Sequence, residues 1–137
     1  MPGKMKVGEA VIELLHQEGV THIFGIVGSS FLDILDPLYD RTDLEFIGVR
    51  HEQGAALMAD GFGRISGKPG VVLVTNGPGV LNLTFGVGSA YVAHSPMVIL
   101  APSASREHQW RDSTPEFDPV APFSYPPLTL PTTPYCS

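Results

Sequence analysis

The sequence predicts a doubly wound α/β layer, a parallel sheet with helices on both faces, and three observations carry that prediction. Segments with apolar residues at helical spacing alternate with short apolar runs from residue 7 to residue 101, the pattern of strands joined by right-handed helical crossovers. The run Val71–Val74 is apolar at consecutive positions, as a strand covered on both faces requires. The runs also end in turn-forming clusters, Gly28-Ser29-Ser30 after the first and Asn76-Gly77-Pro78-Gly79 after the third.

Taken in order, Val7, Ala10, Val11, Leu14 and Leu15 mark a helix over 7–17, with Gly19 placed to end it. Residues 21–27 (THIFGIV) read as the first strand. Ser30 and Asp33 have the spacing of a capping box ahead of an apolar stripe at Phe31, Ile34, Leu35 and Leu38, which Pro37 should kink or end. Residues 44–49 form the second strand. The stretch RHEQGAALMADGFGRIS (50–66) is a helix with Ala55, Ala56, Met58, Ala59, Phe62 and Ile65 as its inward positions, stopping near Gly67. The third strand covers 71–75. Pro78 then opens a helix reaching Ala93, with Leu81, Phe85, Gly88, Ser89 and Val92 on one face and the small residues admitting a close neighbour. The fourth strand covers 97–101.

From Pro102 onward the periodicity is lost and prolines crowd the chain, which ends PPLTLPTTPYCS. Proline at that density breaks helices and denies sheets their donors. The organisation expected is therefore one domain over 1–102 and an irregular Pro-rich tail over 103–137. A truncated or frame-shifted reading frame would produce such an end.

Composition bounds the function. The 137 residues, 43% hydrophobic and 16% charged, suffice for one domain with a real core. The formal charge of −6 with eight scattered Lys and Arg argues against nucleic acid or an anionic membrane as partner. The single cysteine, Cys136, cannot form an internal disulfide. With neither an export signal nor an apolar run of roughly 18 residues, the expectation is a cytoplasmic protein.

In a parallel sheet, ligands gather at the carboxyl ends of the strands. Three loops fall there: Ile26-Val27-Gly28-Ser29, His51-Glu52 and Asn76-Gly77-Pro78-Gly79. Glu52 opens its helix on the apolar side. The helix N-terminus favours its charge, while an apolar surround favours a protonated or tightly partnered carboxyl. Such an acid is suited to proton work, and equally to complementing the helix dipole. The glycines would let a flat ligand reach the backbone, or serve only as turn residues. Other chemistries fit poorly. A dinucleotide fingerprint needs glycine where Asn82 stands, and a phosphate loop needs glycine at Phe62 and Ser or Thr at Pro69. The histidines lack metal-ligand spacing, and a hydrogen-bonded turn residue describes His51 at least as well as a catalytic one.

The segments EAVIELLHQEGVTHIFGIVGSSFLDILDPL, RHEQGAALMADGFGRISGKPGVVLVTNGPGVLNL and AYVAHSPMVILAP, spanning roughly 7–102, resemble the N-terminal pyrimidine-binding domain of thiamine-diphosphate-dependent enzymes of the acetolactate synthase and sulfoacetaldehyde acetyltransferase type. The resemblance implies a flavodoxin-like order of strands. It implies that Glu52 hydrogen-bonds N1′ of the cofactor's aminopyrimidine, favouring the imino tautomer whose 4′ nitrogen takes the C2 proton. It places Ile26, Val27, Gly28, Pro78, Gly79 and Asn82 around that ring. The reaction class is making or breaking a carbon-carbon bond next to a carbonyl. The family's GDG and NN motif for Mg²⁺ and diphosphate has no counterpart here, so the metal is expected on a partner domain and the chain alone should be inactive. The partner is then a second copy in a homo-oligomer or a separate diphosphate-binding subunit. A non-catalytic interaction domain is the alternative.

Overall fold

The computed structural model describes residues 5–103, so that the tail beyond Ser103 lies outside the described residues. The helix α1 covers Val7–Gln17 and leads to strand β1, His22–Gly25. A 3-10 turn at Ser29–Phe31 precedes α2, Leu32–Tyr39, and then β2, Glu45–Gly48. Helix α3 spans Glu52–Ser66, β3 Gly70–Leu73, α4 Pro78–Asn82, α5 Thr84–Val92 and β4 Met97–Leu100. The four strands are all parallel, in the order β2-β1-β3-β4, the flavodoxin-like order the sequence implied. Phe24 pairs with Ile47 on one side and Val72 on the other.

Two apolar clusters flank the sheet. Ile12, Ile23, Phe31, Leu38, Leu44, Val71 and Leu73 bury one side under α1 and α2. Phe24, Ala55, Ala56, Ala59, Val72, Val74, Val80, Leu83 and Val87 fill the other under α3, α4 and α5. Every residue of β3 is buried, as its unbroken apolar run predicts. No helix among the described residues is long and apolar enough to cross a membrane.

Local chemistry explains most boundaries. Gly67, at φ 69°, supplies the left-handed residue that ends α3. Gly77, at φ 62°, lets the chain turn sharply into Pro78, the first residue of α4. Other details depart from expectation. Ser30 and Asp33 do not cap α2, whose N-cap is Phe31 without a side-chain bond, because the 3-10 turn takes up Ser29–Phe31. The capping carboxylate belongs to Glu9, which accepts from the Lys6 N–H at 3.0 Å. Pro37 stands inside α2, which runs two residues further and closes at Tyr39. The helix expected over 78–93 is broken after Asn82, where Leu83 N–H bonds Val80 and the Thr84 hydroxyl bonds Leu81.

Burial follows size more than hydrophobicity on α3 and α5. The inward face of α3 is Ala55, Ala56, Ala59, Asp60 and Gly63, while Met58 is exposed and Ile65 is 91% exposed. On α5 the predicted face of Phe85 and Val92 points to solvent, and Gly86, Val87 and Ala90 face inward. The close approach is made by Gly86, where a Cβ would collide with Ala56, and not by Gly88, beside which there is open space. Gly70 lies equally tight against the backbone of Ala59. Small residues win these positions because they let helix and strand backbones approach within dispersion range. On α1, Val7 and Leu14 are exposed, with Gly8 and Ile12 buried instead.

Asp60 locks this packing. It is 4% exposed, accepts from Arg64 at 2.8 and 2.6 Å and from the Ser89 hydroxyl of α5 at 3.0 Å. Its carbonyl accepts from Ser95, ahead of β4. The Arg64 bonds hold the Asp60 carboxyl below the usual aspartate range. Its contribution is therefore complete above the ordinary aspartate value and is lost as pH falls through that value toward the folded-state one. Asp60→Asn is expected to cost on the order of 1–3 kcal/mol at pH 7, seen as a lower melting temperature, and to narrow its gap to wild type as melts are repeated toward pH 3.

Candidate functional site

Since all strands run in parallel, the carboxyl ends of β1, β2 and β3 share one edge. The order β2-β1-β3-β4 places the topological switch between β1 and β3, where the chain leaves in opposite directions and a crevice opens. Gly28 follows β1 and Thr75 follows β3 at that point. A Cβ on Gly28 would collide with the Thr75 methyl and come within 3.2 Å of Phe31. A Cβ on Gly79 would sit 2.7 Å from the Thr75 hydroxyl and 3.5 Å from Glu52 Oε1. Thr75 is thus wedged between two glycines, each required by its β-branched side chain.

Glu52 reaches the same place from the first turn of α3. It is half-buried, and its Oε2 accepts a 2.9 Å hydrogen bond from the side-chain amide of Asn82, the last residue of α4. Among the described residues this is the carboxylate's one hydrogen bond; Oε1 faces the space above Gly79. The carboxyl is partnered, as its place in the sequence suggested, but by a neutral amide. His51 is the N-cap of α3: its Nδ1 accepts from the Gln53 N–H at 3.2 Å, a hydrogen-bonded turn residue.

The expected residues divide into two groups. Glu52, Gly79 and Asn82 meet directly, and Gly28 joins them through Thr75. Pro78 is exposed at the start of α4 and Ile26 is half-buried after β1. Val27 is turned away, lining an open depression of about 560 Å³ beside the edge strand β2 with Leu35, Tyr39 and Phe46. A second depression, of about 630 Å³, lies between α1, α2 and β4, and neither includes Glu52. Glu52, Gly79 and Asn82 form a ledge at the carboxyl edge of the sheet. Among the described residues no group of three or more His, Cys, Asp or Glu could hold a metal ion.

Sequence reasoning passed over Thr75 as the end of a strand. Its signal was the position itself, a β-branched polar residue at the carboxyl end of a buried strand, directly before a glycine loop. Chemically, the ledge offers a carboxylate oxygen and a hydroxyl beside the backbone of Gly79, while the space next to Gly28 is taken by the Thr75 methyl. It suits a flat, nitrogen-bearing ring, which could lie against that backbone while sharing a proton with Glu52.

Comparison with known proteins follows the same line. The family model for the N-terminal TPP binding domain of thiamine pyrophosphate enzymes matches residues 5–121. The chain is 48% identical to the sulfoacetaldehyde acetyltransferase of Castellaniella defragrans over 101 residues, 74% of this chain and 17% of the relative. It is 42% identical to the acetolactate synthase of Bacillus subtilis (strain 168) over 127 residues, 88% of this chain and 22% of the relative. The acetolactate synthase large subunit of Buchnera aphidicola subsp. Schizaphis graminum (strain Sg) is 50% identical over 93 residues, 68% of this chain and 16% of the relative. The matched region is thus about a fifth of each relative's length or less.

Filling the ledge tests its use. Gly79→Ala should leave the far-ultraviolet circular dichroism unchanged. In an assembly completed by a separately expressed diphosphate-binding domain, it should weaken binding of thiamine diphosphate roughly 10-fold, because the new methyl stands 2.7 Å from the Thr75 hydroxyl and 3.5 Å from Glu52 Oε1 and forces the hydroxyl to shift; titration calorimetry measures this.

Proposed function

The chain belongs to the thiamine pyrophosphate enzymes, in the family of their N-terminal TPP binding domain, and from that premise we propose that it binds the aminopyrimidine ring of thiamine diphosphate on the Glu52 ledge. The observation that carries this reading is the Glu52 carboxylate itself, held by Asn82 on Oε2 with Oε1 over the floor at Gly79. The residues present suit the ring: Gly79 puts no side chain beside Glu52 Oε1, which lies 3.5 Å from where a Cβ there would stand. Glu52 Oε1 would share a proton with the ring nitrogen N1′, Ile26, Val27 and Pro78 would hold the ring through their backbone, and Asn82 would hold the carboxylate from Oε2. When bound, the cofactor supplies an acidic carbon whose deprotonated form adds to a carbonyl carbon.

In this reading the chain is the N-terminal part of an acetolactate synthase-like or sulfoacetaldehyde acetyltransferase-like enzyme, working in the cytoplasm on a carbon-carbon bond next to a carbonyl. Mg²⁺ and the diphosphate fall to a partner domain, and the chain alone is inactive. One feature supports this: the chain spans only 17–22% of two of its relatives. The domain occupies 1–102, followed by the Pro-rich segment 103–137.

The alternative, an interaction domain or small subunit that pairs with a separate diphosphate-binding chain, draws on one further observation. Helices α3 and α5 pack side by side and both present large apolar side chains to solvent, among them Met58, Ile65, Phe85 at 65% exposed and Val92 at 79% exposed. A soluble domain rarely leaves such a face uncovered. Either reading takes this face as the interface, with a second copy or with the diphosphate-binding chain. Phe85→Glu is accordingly expected to shift the chain toward monomer in sedimentation velocity without lowering its melting temperature; unchanged assembly removes the face from the reading.

Thiamine diphosphate with Mg²⁺ titrated into the chain alone should give no heat of binding. Mixed with a separately expressed diphosphate-binding domain, it should give saturable binding and exchange of the cofactor's C2 proton. Glu52→Gln should slow that exchange at least ~10²-fold with the fold intact, since a positioned proton-transfer group contributes about that much. Near-normal exchange in Glu52→Gln would overturn the role assigned to Glu52.

A further inference from the structure

We propose that Asn82 is a positioning residue which acts on the cofactor only through Glu52, and this inference rests on the binding reading above. Resemblance places Asn82 among the ring contacts, but one N–H of its amide is already taken: Nδ2 donates to Glu52 Oε2 at 2.9 Å. The other oxygen, Oε1, stands over Gly79, near the Thr75 hydroxyl. One hydrogen bond therefore divides the carboxylate into a held oxygen and a working oxygen.

The fold fixes Asn82 for this task. It closes the single turn of α4, between buried anchors Val80, 1% exposed, and Leu83, fully buried. The break after it ends α4, so the position of Asn82 is set by those anchors and by the turn at Gly77. Val80 and Leu83 belong to the same apolar cluster as Ala55 and Ala56 of α3, so donor and acceptor are registered by one core.

The chemistry of the donor matters as much as its place. An Arg or Lys at 82 would pair with Glu52 as an ion and hold it charged. An apolar residue would let the side chain swing among its rotamers. A primary amide orients the carboxylate, adds no charge and cannot give up its own proton at neutral pH. It leaves proton sharing to Oε1.

Two measurements test this. In the assembly with the diphosphate-binding domain, loaded with thiamine diphosphate and Mg²⁺, Asn82→Leu should slow C2 proton exchange roughly 10-fold. Placed on Glu52→Gln it should add less than about 2-fold, because its effect passes through the carboxylate. Losses that multiply would make Asn82 a direct ring contact and overturn the proposal. Independently of any cofactor, the side-chain amide protons of Asn82 in the ¹⁵N-labelled full chain should exchange with water more slowly than those of an exposed asparagine. Glu52→Ala should abolish that protection while the melting curve stays cooperative. Protection that survives Glu52→Ala, or is absent from the wild type, overturns the proposal even where the cofactor binds. A chain that never binds the cofactor, yet shows the Glu52-dependent protection, overturns only the binding reading.

Discussion

The short distance between α3 and its neighbours is the constraint on which the remaining features depend. Ala56 against Gly86 and Ala59 against Gly70 bring the helix close to α5 and β3, and a Cβ at either glycine would collide with the facing alanine. Dispersion falls off so steeply that such contacts hold only when the backbones are almost touching. Because α3 begins with Glu52 and runs rigidly to Ser66, seating its middle on the sheet also seats its first residue. The carboxylate arrives at Gly79 and Asn82 as a consequence of packing about one and two turns away.

Two acids on that helix show how environment divides labour. Asp60 and Glu52 lie on the same element, eight positions apart. Asp60 is clamped by a guanidinium and a hydroxyl and is sealed from water; it holds α5 to α3 and has no free oxygen to offer. Glu52 is held at one oxygen by a neutral amide and is only half-buried. A cation partner ties both oxygens of Asp60 into the packing, whereas the neutral amide of Asn82 orients Glu52 through one oxygen and adds no charge.

The same economy explains why the ledge and the exposed helical face occur together. A parallel sheet collects its loops at one edge and its helices on two faces. Here α3, α4 and α5 share one face, and the outer sides of α3 and α5 carry Met58, Ile65, Phe85 and Val92 into solvent. The apolar helices thus lie on the face that supplies Glu52 and Asn82.

Much of the fold is legible in the sequence because its signals are local. Alternating periodicities mark the elements, the unbroken run at 71–74 marks a strand buried on both faces, and Gly67 and Pro78 mark a helix end and a helix start. The parallel order follows from the same alternation, and with it the gathering of Gly28, Glu52 and Gly79 at one edge. What the sequence could not decide was which side of an amphipathic-looking helix is covered. On α3 and α5 large apolar residues lie on the outside, and only tertiary contact reveals that backbone proximity selected the small ones for the inside. The same limit hid Thr75, the break between Asn82 and Thr84, and the bond from Asn82 to Glu52. Each depends on atoms brought together from distant positions, 30 residues apart for Asn82 and Glu52. Periodicity along a chain reports which residues share a face, whereas the distance between two faces exists only once the chain has packed.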